Sequence, residues 1–192
     1  MAARPRLRAR LFPQTRRRPP RPRRAPARGR LARGLPVTNI EGEGLAIDGF
    51  NLIITAEAAL GGGVLLVCRD GCVRDLSSVH GSYRSVRETG EAITLVGEAL
   101  EPLRPAGAKW LLDRPVSNSG RLAQKIRDVA GSRGWLWSVE VVFNPDREIV
   151  SAGEIAVTSD SSILDGASRW INFNEYLIRR YLPDAWAVDL KV

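Results

Sequence analysis

The chain has 192 residues, 44% apolar and 26% charged, the proportions of a globular domain rather than of a fibrous or membrane-spanning protein. No apolar run approaches the roughly 18 residues of a membrane span, and two cysteines are too few for a disulfide framework, so reduced thiols in a cytoplasm are expected. The net charge of +8 is unevenly placed: residues 1–36 hold 13 arginines and no acid, which leaves −5 on the remainder.

Residues 1–36 are dominated by Arg and Pro and have little to bury, which predicts a disordered basic tail. It reads as a nucleic-acid arm that neutralises phosphates, as a solvated tail, or as the product of a start site read too early. A folded domain is expected over 43–192. Leu45-Ala-Ile47 opens a buried parallel strand, apolar on both faces. It stops at Asp48-Gly49, a turn dipeptide, and a helix follows over 51–60. Gly61-Gly62-Gly63 come after a helix, so they form its cap and a turn rather than a phosphate cradle.

A second strand is predicted over 64–68, leading into a turn at Asp70-Gly71. Cys68, Cys72 and His80 offer three metal ligands, but their spacing fits no standard zinc site. A turn with packed thiols is the better reading. Thr89 is placed to cap a helix over 91–103. The next strand, 109–114, carries Asp113 near its end. Ser117-Asn118-Ser119 then open a helix with Leu122, Ile126 and Val129 inward and Gly131 as its stop.

A strand over 137–143 precedes Asn144-Pro145-Asp146, and a strand over 155–160 ends in Asp160. Helices over 161–170 and 175–181 and an edge strand over 186–190 complete the chain. Trp110, Trp135, Trp137, Trp170 and Trp186 fall at apolar spacing and are expected in the core. Alternating strands and helices with short connections predict an α/β fold of three layers, α/β/α, around a mostly parallel central sheet.

Three strands thus end in aspartate: Asp48, Asp113 and Asp160. In a parallel sheet these tips share one edge, where ligands bind. Converging carboxylates repel unless a cation or strong hydrogen bonds hold them ionised. Oxygen-only ligation suits Mg²⁺ or Mn²⁺, an ion able to activate water against a phosphodiester. Asp165, one helical turn past Ser161, is placed to lean back toward the same edge. Asn51 offers an amide to orient water or ligand. The N–H groups at the start of the helix near Asn118, with Arg114 and Arg121 beside them, suit a substrate phosphate. Each acid also has a structural role open to it: Asp160 as a helix cap, Asp113 as a partner of Arg114, Asp48 as a turn former with Gly49.

Asp48-Gly-Phe-Asn51, Leu111-Leu-Asp113 and Val157-Thr-Ser-Asp160 resemble the PIN-like fold, nearest its NYN-type ribonuclease branch. More closely, Ile47-Asp-Gly-Phe-Asn51, Arg69-Asp-Gly-Cys-Val-Arg-Asp75, Leu112-Asp-Arg-Pro-Val-Ser-Asn-Ser-Gly-Arg-Leu122 and Thr158-Ser-Asp160 resemble the PIN-like part of a prokaryotic family called domain of unknown function 434, over about residues 43–175. The resemblance implies that Asp48, Asp113 and Asp160 bind Mg²⁺ or Mn²⁺ and hydrolyse RNA, or flap DNA as in some relatives. It draws in Asn51 and Asp165, and Asp146 stands where relatives carry another acid. The expected activity is a metal-dependent nuclease with RNA as the favoured partner and no membrane association; oligomeric state stays open. The alternative is a non-catalytic PIN-like module that binds RNA or a protein. A different α/β hydrolase or phosphatase fits less well, because no Gly-x-Ser-x-Gly elbow or Walker motif is present.

Overall fold

The computed structural model describes residues 32–77 and 83–190. Six strands form one sheet in the spatial order β1 (Gly34–Leu35), β8 (Trp170–Ile171), β7 (Ile155–Val157), β2 (Gly44–Asp48), β5 (Gly107–Asp113) and β6 (Trp137–Val142). Every neighbouring pair in it is parallel.

Side-chain alternation assigns its two faces. Leu45 and Ile47 of β2, Trp110 and Leu112 of β5, and Ile155 and Val157 of β7 enter one core. That core is closed by α1 (Gly49–Leu60), α2 (Thr89–Leu100), α3 (Ser119–Arg133) and α6 (Phe173–Tyr181). Ala46, Leu111 and Ala156 enter the other, against Ile149 of α4 (Pro145–Ser151) and Ile163 and Leu164 of α5 (Ser161–Gly166). The expected three layers and parallel sheet are therefore present. Because both faces are covered, the central strands carry apolar residues at successive positions instead of alternating with polar ones.

Several local expectations change. The strand expected over 64–68 and the final strand do not join the main sheet. They form a second one, in the order β4 (Val73–Asp75), β3 (Leu65–Val67), β9 (Ala187–Asp189), with β3 antiparallel to β4 and parallel to β9. Leu65 and Val73 pack there on Ala59 of α1 and Ile178 of α6, a small core of its own. The turn between β3 and β4 is as expected: Gly71 has φ +83° and its N–H donates to the Cys68 carbonyl at 2.9 Å. Cys72 is fully buried, while His80 lies outside the described residues. Trp186, expected in the core, is 61% exposed, because it leads into an edge strand whose residues are all exposed.

The helix expected over 161–170 stops at Gly166. The chain then turns extended at Ala167 (φ −64°, ψ 137°), and Trp170 becomes part of β8. β1 falls inside the stretch expected to be tail. Its two residues pair with Trp170 and Ile171, and the Arg33 guanidinium donates to the carbonyls of Leu164 and Asp165 at 3.1 and 2.9 Å. The rest of that tail, residues 1–31, lies outside the described residues. Gly134, at φ +71°, ends α3 in place of Gly131. Thr89 is the first residue of α2 rather than its cap. Its hydroxyl instead accepts from the Val86 N–H and donates to Glu57.

Trp110, Trp137 and Trp135 stack in series with ring centroids 4.9 and 4.7 Å apart. The series runs up to Gly97 on α2, where a Cβ would stand 1.9 Å from the Trp135 ring. Gly97→Ala is therefore expected to destabilise the fold by about 1–3 kcal/mol through overpacking, although alanine is intrinsically the better helix former. An unchanged urea midpoint would show that the indole simply swings aside. Among the described residues, no helix is long and apolar enough to cross a membrane.

Candidate functional site at the carboxyl edge of the sheet

β2 and β7 are neighbours, yet the chain leaves β2 toward β5 and leaves β7 toward β8. Connections that diverge from adjacent parallel strands open a crevice outside their carboxyl ends. Asp48 closes β2 at that point, Thr158-Ser159-Asp160 follow β7, and Asp113 closes β5 alongside.

Asp48 does not make a turn with Gly49. The strand runs straight into α1, with Asp48 as its cap and one carboxylate oxygen accepting from the Asn51 N–H at 3.3 Å. The other oxygen accepts from the Thr158 hydroxyl at 2.9 Å. Burial pushes the Asp48 pKa up to about 7; the two hydrogen bonds oppose the rise, and the charges of Asp146 and Asp160 add to it. Gly49 is required by proximity rather than by backbone chirality. A Cβ there would lie 2.6 Å from Leu112 Cδ2 and 3.2 Å from the Leu111 carbonyl oxygen.

Asp160 lies three residues beyond the end of β7, so it is not a strand tip. It caps α5, its Oδ1 accepting from the Ser162 N–H at 2.6 Å and the Ser162 hydroxyl at 2.7 Å. β7 ends early because Thr158 and Ser159 leave the ladder for side-chain partners. The Asp160 N–H donates to Thr158 Oγ1 at 3.0 Å, and Ser159 donates from N–H and hydroxyl to Asn51 Oδ1 at 2.8 and 3.0 Å. Asn51 therefore spends its amide oxygen on holding two strand ends together, where an orienting contact to water or ligand was expected. Arg74 adds a strut from the β3–β4 hairpin, bidentate to Asp70 and donating from Nε to the Ser159 carbonyl at 2.8 Å.

Asp113 brings an exposed-edge acid with a buried atom: its Oδ1 is enclosed and has no hydrogen-bond partner among the described residues. It does not pair with Arg114, whose guanidinium lies over the Phe143 ring, 4.7 Å from the centroid. Asp146, in the first turn of α4, joins the group. Its pKa is raised by burial first, then by the charges of Asp160 and Asp113. Four carboxylates thus act on one another across this edge. Among the described residues, no three acids, histidines or cysteines stand close enough as placed to hold one ion.

The remaining expected residues are spread around this centre. Asp165 sits in the last turn of α5, where its main-chain carbonyl accepts from Arg33 at the β1 edge. Asn118 takes a left-handed conformation (φ +64°) ahead of α3, but its side chain donates to the Tyr83 carbonyl at 2.7 Å instead of capping. Arg121 and Asn118 line a cavity to one side, and Arg114 stands apart from them, over Phe143.

Three contributors escaped the sequence reading. Thr158 links the Asp48 carboxylate to the Asp160 N–H, and a hydroxyl two residues before Asp160 was the available signal. Phe143, expected as the last residue of a strand over 137–143, lies just past β6 and is 72% exposed; its place directly before Asn144-Pro145-Asp146 was the available signal. Arg74 carried no local signal, since its target is 85 residues away.

A family model described as a domain of unknown function (DUF5616) matches residues 37–176. An uncharacterized protein of Methanocaldococcus jannaschii is 35% identical over 126 residues, covering 66% of this chain. The chain spans 60% of that relative's length. No solved structure matches the chain. The family match takes in β2, the three acids at its own and its neighbours' ends, and Asp146, and on that match the chain belongs to the family of the domain of unknown function DUF5616.

Proposed function

We propose that the protein is a metal-dependent nuclease that hydrolyses phosphodiester bonds, with RNA as the favoured substrate. One observation carries the reading: Asp48, Asp113, Asp146 and Asp160 gather at a topological switch point, where the charges of Asp146 and Asp160 add to the raised pKa of Asp48 and those of Asp160 and Asp113 to that of Asp146. Packing alone does not favour gathered acids, and a cation relieves their repulsion. The donor set fits a hard divalent ion, being all oxygen, and the enclosed, unpartnered Oδ1 of Asp113 is an atom such an ion would satisfy. Asp48, Asp113, Asp146 and Asp160 are the residues that would hold Mg²⁺ or Mn²⁺. When bound, the ion supplies Lewis acidity toward the phosphodiester and a lowered pKa for water. The chain's own part is orientation: Thr158 and the Asn51 N–H fix the Asp48 carboxylate, and the Ser159–Asn51 bonds fix the two strand ends. The Arg114–Phe143 pair presents a flat cationic surface on which an unpaired base stacks. The resemblance to PIN-like, NYN-type ribonucleases supports the same chemistry.

One observation favours a second reading, a non-catalytic module that binds RNA or a protein. Asp160 already spends Oδ1 on capping, and no three ligands converge as placed. Cleavage separates the two. Labelled single-stranded RNA and DNA in Mn²⁺ are expected to be cut, RNA faster, with EDTA or Asp160→Asn lowering the rate at least about a hundredfold. Folded protein that cuts neither strand would transfer the weight to the second reading.

A further inference from the structure

Residues 37–192 carry net −5, so apart from the arginines of residues 1–36 this part of the chain attracts a polyanion only locally. Beside the start of α3 lies a cavity of about 460 Å³ lined by Arg84, Ser85, Asn118, Arg121, Leu122 and Lys125. Three of the six are cations, and among the described residues no acid lines it. None of these cations is in an ion pair among the described residues. Lys125 Nζ donates to the Ser85 hydroxyl at 3.4 Å and senses the buried Glu57 beyond it. The α3 terminus adds a partial positive charge, and its first amides lack a side-chain cap because Asn118 is turned to Tyr83.

The walls are fixed independently of any ligand. Glu57, buried on α1, accepts from the hydroxyls of Tyr83 and Thr89, each at 2.5 Å. Tyr83 also packs its ring edge-on to Phe50, 5.3 Å between centroids, and receives Asn118 at its carbonyl. Arg84 and Ser85 therefore follow a residue anchored on α1 and α3 at once. A buried carboxylate spent on holding a cationic segment against a helix start is an arrangement that stability alone does not call for.

We infer that this cavity is a phosphate-binding site, distinct from the carboxylate edge, that holds a phosphate group of a nucleic-acid strand. Only the identity of the strand as substrate rests on the nuclease reading; the anion site does not. Asn118 is five residues from Asp113, at most about 17 Å of extended chain, so one strand spans both places within a few nucleotides. The phosphate is either a terminal monoester or an internal diester, which share the charge and oxygens that Arg and Lys recognise.

The test uses the full chain in EDTA, so that nothing is cleaved, and compares wild type with the double variant Arg121→Gln, Lys125→Met. Both proteins share the arginines of residues 1–36, so the comparison isolates the cavity. A short single-stranded RNA, labelled and carrying either a 5′-phosphate or a 5′-hydroxyl, is expected to bind the variant about tenfold more weakly, with a shallower dependence of log K on log salt. Loss confined to the phosphorylated strand assigns a terminal phosphate, and equal loss an internal one. Inorganic pyrophosphate is expected to raise the melting temperature of wild type but not of the variant. Unchanged affinity, salt slope and pyrophosphate response in a variant that melts like wild type would overturn the site. Folded wild type that cuts neither strand in Mn²⁺, while the cavity variant loses binding, would remove the nuclease reading and leave the phosphate site standing.

Discussion

Asp48→Asn is expected to do two opposite things: abolish cleavage and, in the metal-free protein, raise stability above neutral pH. The carboxyl group has a pKa near 7 in the fold against about 3.9 in an unfolded chain. Between those values the native state binds a proton that the unfolded state has lost, so stability falls as pH rises from about 4 to about 7 and levels off above that. The full difference corresponds to about 4 kcal/mol. Because part of Asp48 reaches solvent, about 2–3 kcal/mol is the realistic size. The asparagine keeps the shape and the acceptor oxygen for Asn51 or Thr158 but carries no charge to desolvate. Below about pH 4 the two proteins should melt together, and at pH 8 the variant should melt higher by about 5–10 °C. Mn²⁺ should raise the wild-type melting temperature at pH 8 and leave the variant nearly unmoved. Parallel melting curves at every pH would mean that Asp48 is ionised at ordinary cost and that the carboxylates are not crowded as described. Gain of stability with loss of activity is the usual signature of a site that function, not folding, has assembled.

Gly49→Ala tests the same centre through packing. Alanine would ordinarily favour a helix by up to about 1 kcal/mol over glycine. At this position its Cβ would meet Leu112 Cδ2 at 2.6 Å and the Leu111 carbonyl at 3.2 Å. Leu112 is fully buried between the sheet and the α1 side of the core, so it cannot swing away, and the start of α1 must lift off β5. The expected cost is about 1–3 kcal/mol. The lift displaces Asp48 and Asn51 together, and displacements on the order of 1 Å at reacting groups cost up to about a hundredfold in rate. Gly131→Ala is the matched control. It sits within α3 with nothing inside 4 Å of its would-be Cβ and should stabilise by about 0.5–1 kcal/mol while leaving cleavage unchanged. If both substitutions stabilised, close approach of α1 to β5 would not be what selects glycine at 49.

The three layers were legible because long apolar runs such as 45–47 and 110–112 admit one reading in an alternating strand–helix chain: a parallel strand covered on both sides. The aspartates were legible for a related reason. A charge ending an apolar run marks the strand's carboxyl end, and in a parallel sheet all such ends share one edge. Asp146 carried less signal, being a helix N-terminal acid like many others, and its membership comes only from where α4 lies.

What the sequence by itself determined is therefore the layer architecture, the edge on which the acids gather, and the separation of thirteen arginines from an acidic remainder, since all three follow from the order and type of residues along the chain. Tertiary structure alone decided that Asn51 is spent on Ser159, that β3 pairs with β9 outside the main sheet, and that Arg84 faces the start of α3. These depend on contacts between residues 34 to 122 positions apart in the chain, and local pattern holds no information about which distant partner will satisfy a given donor or cover a given face.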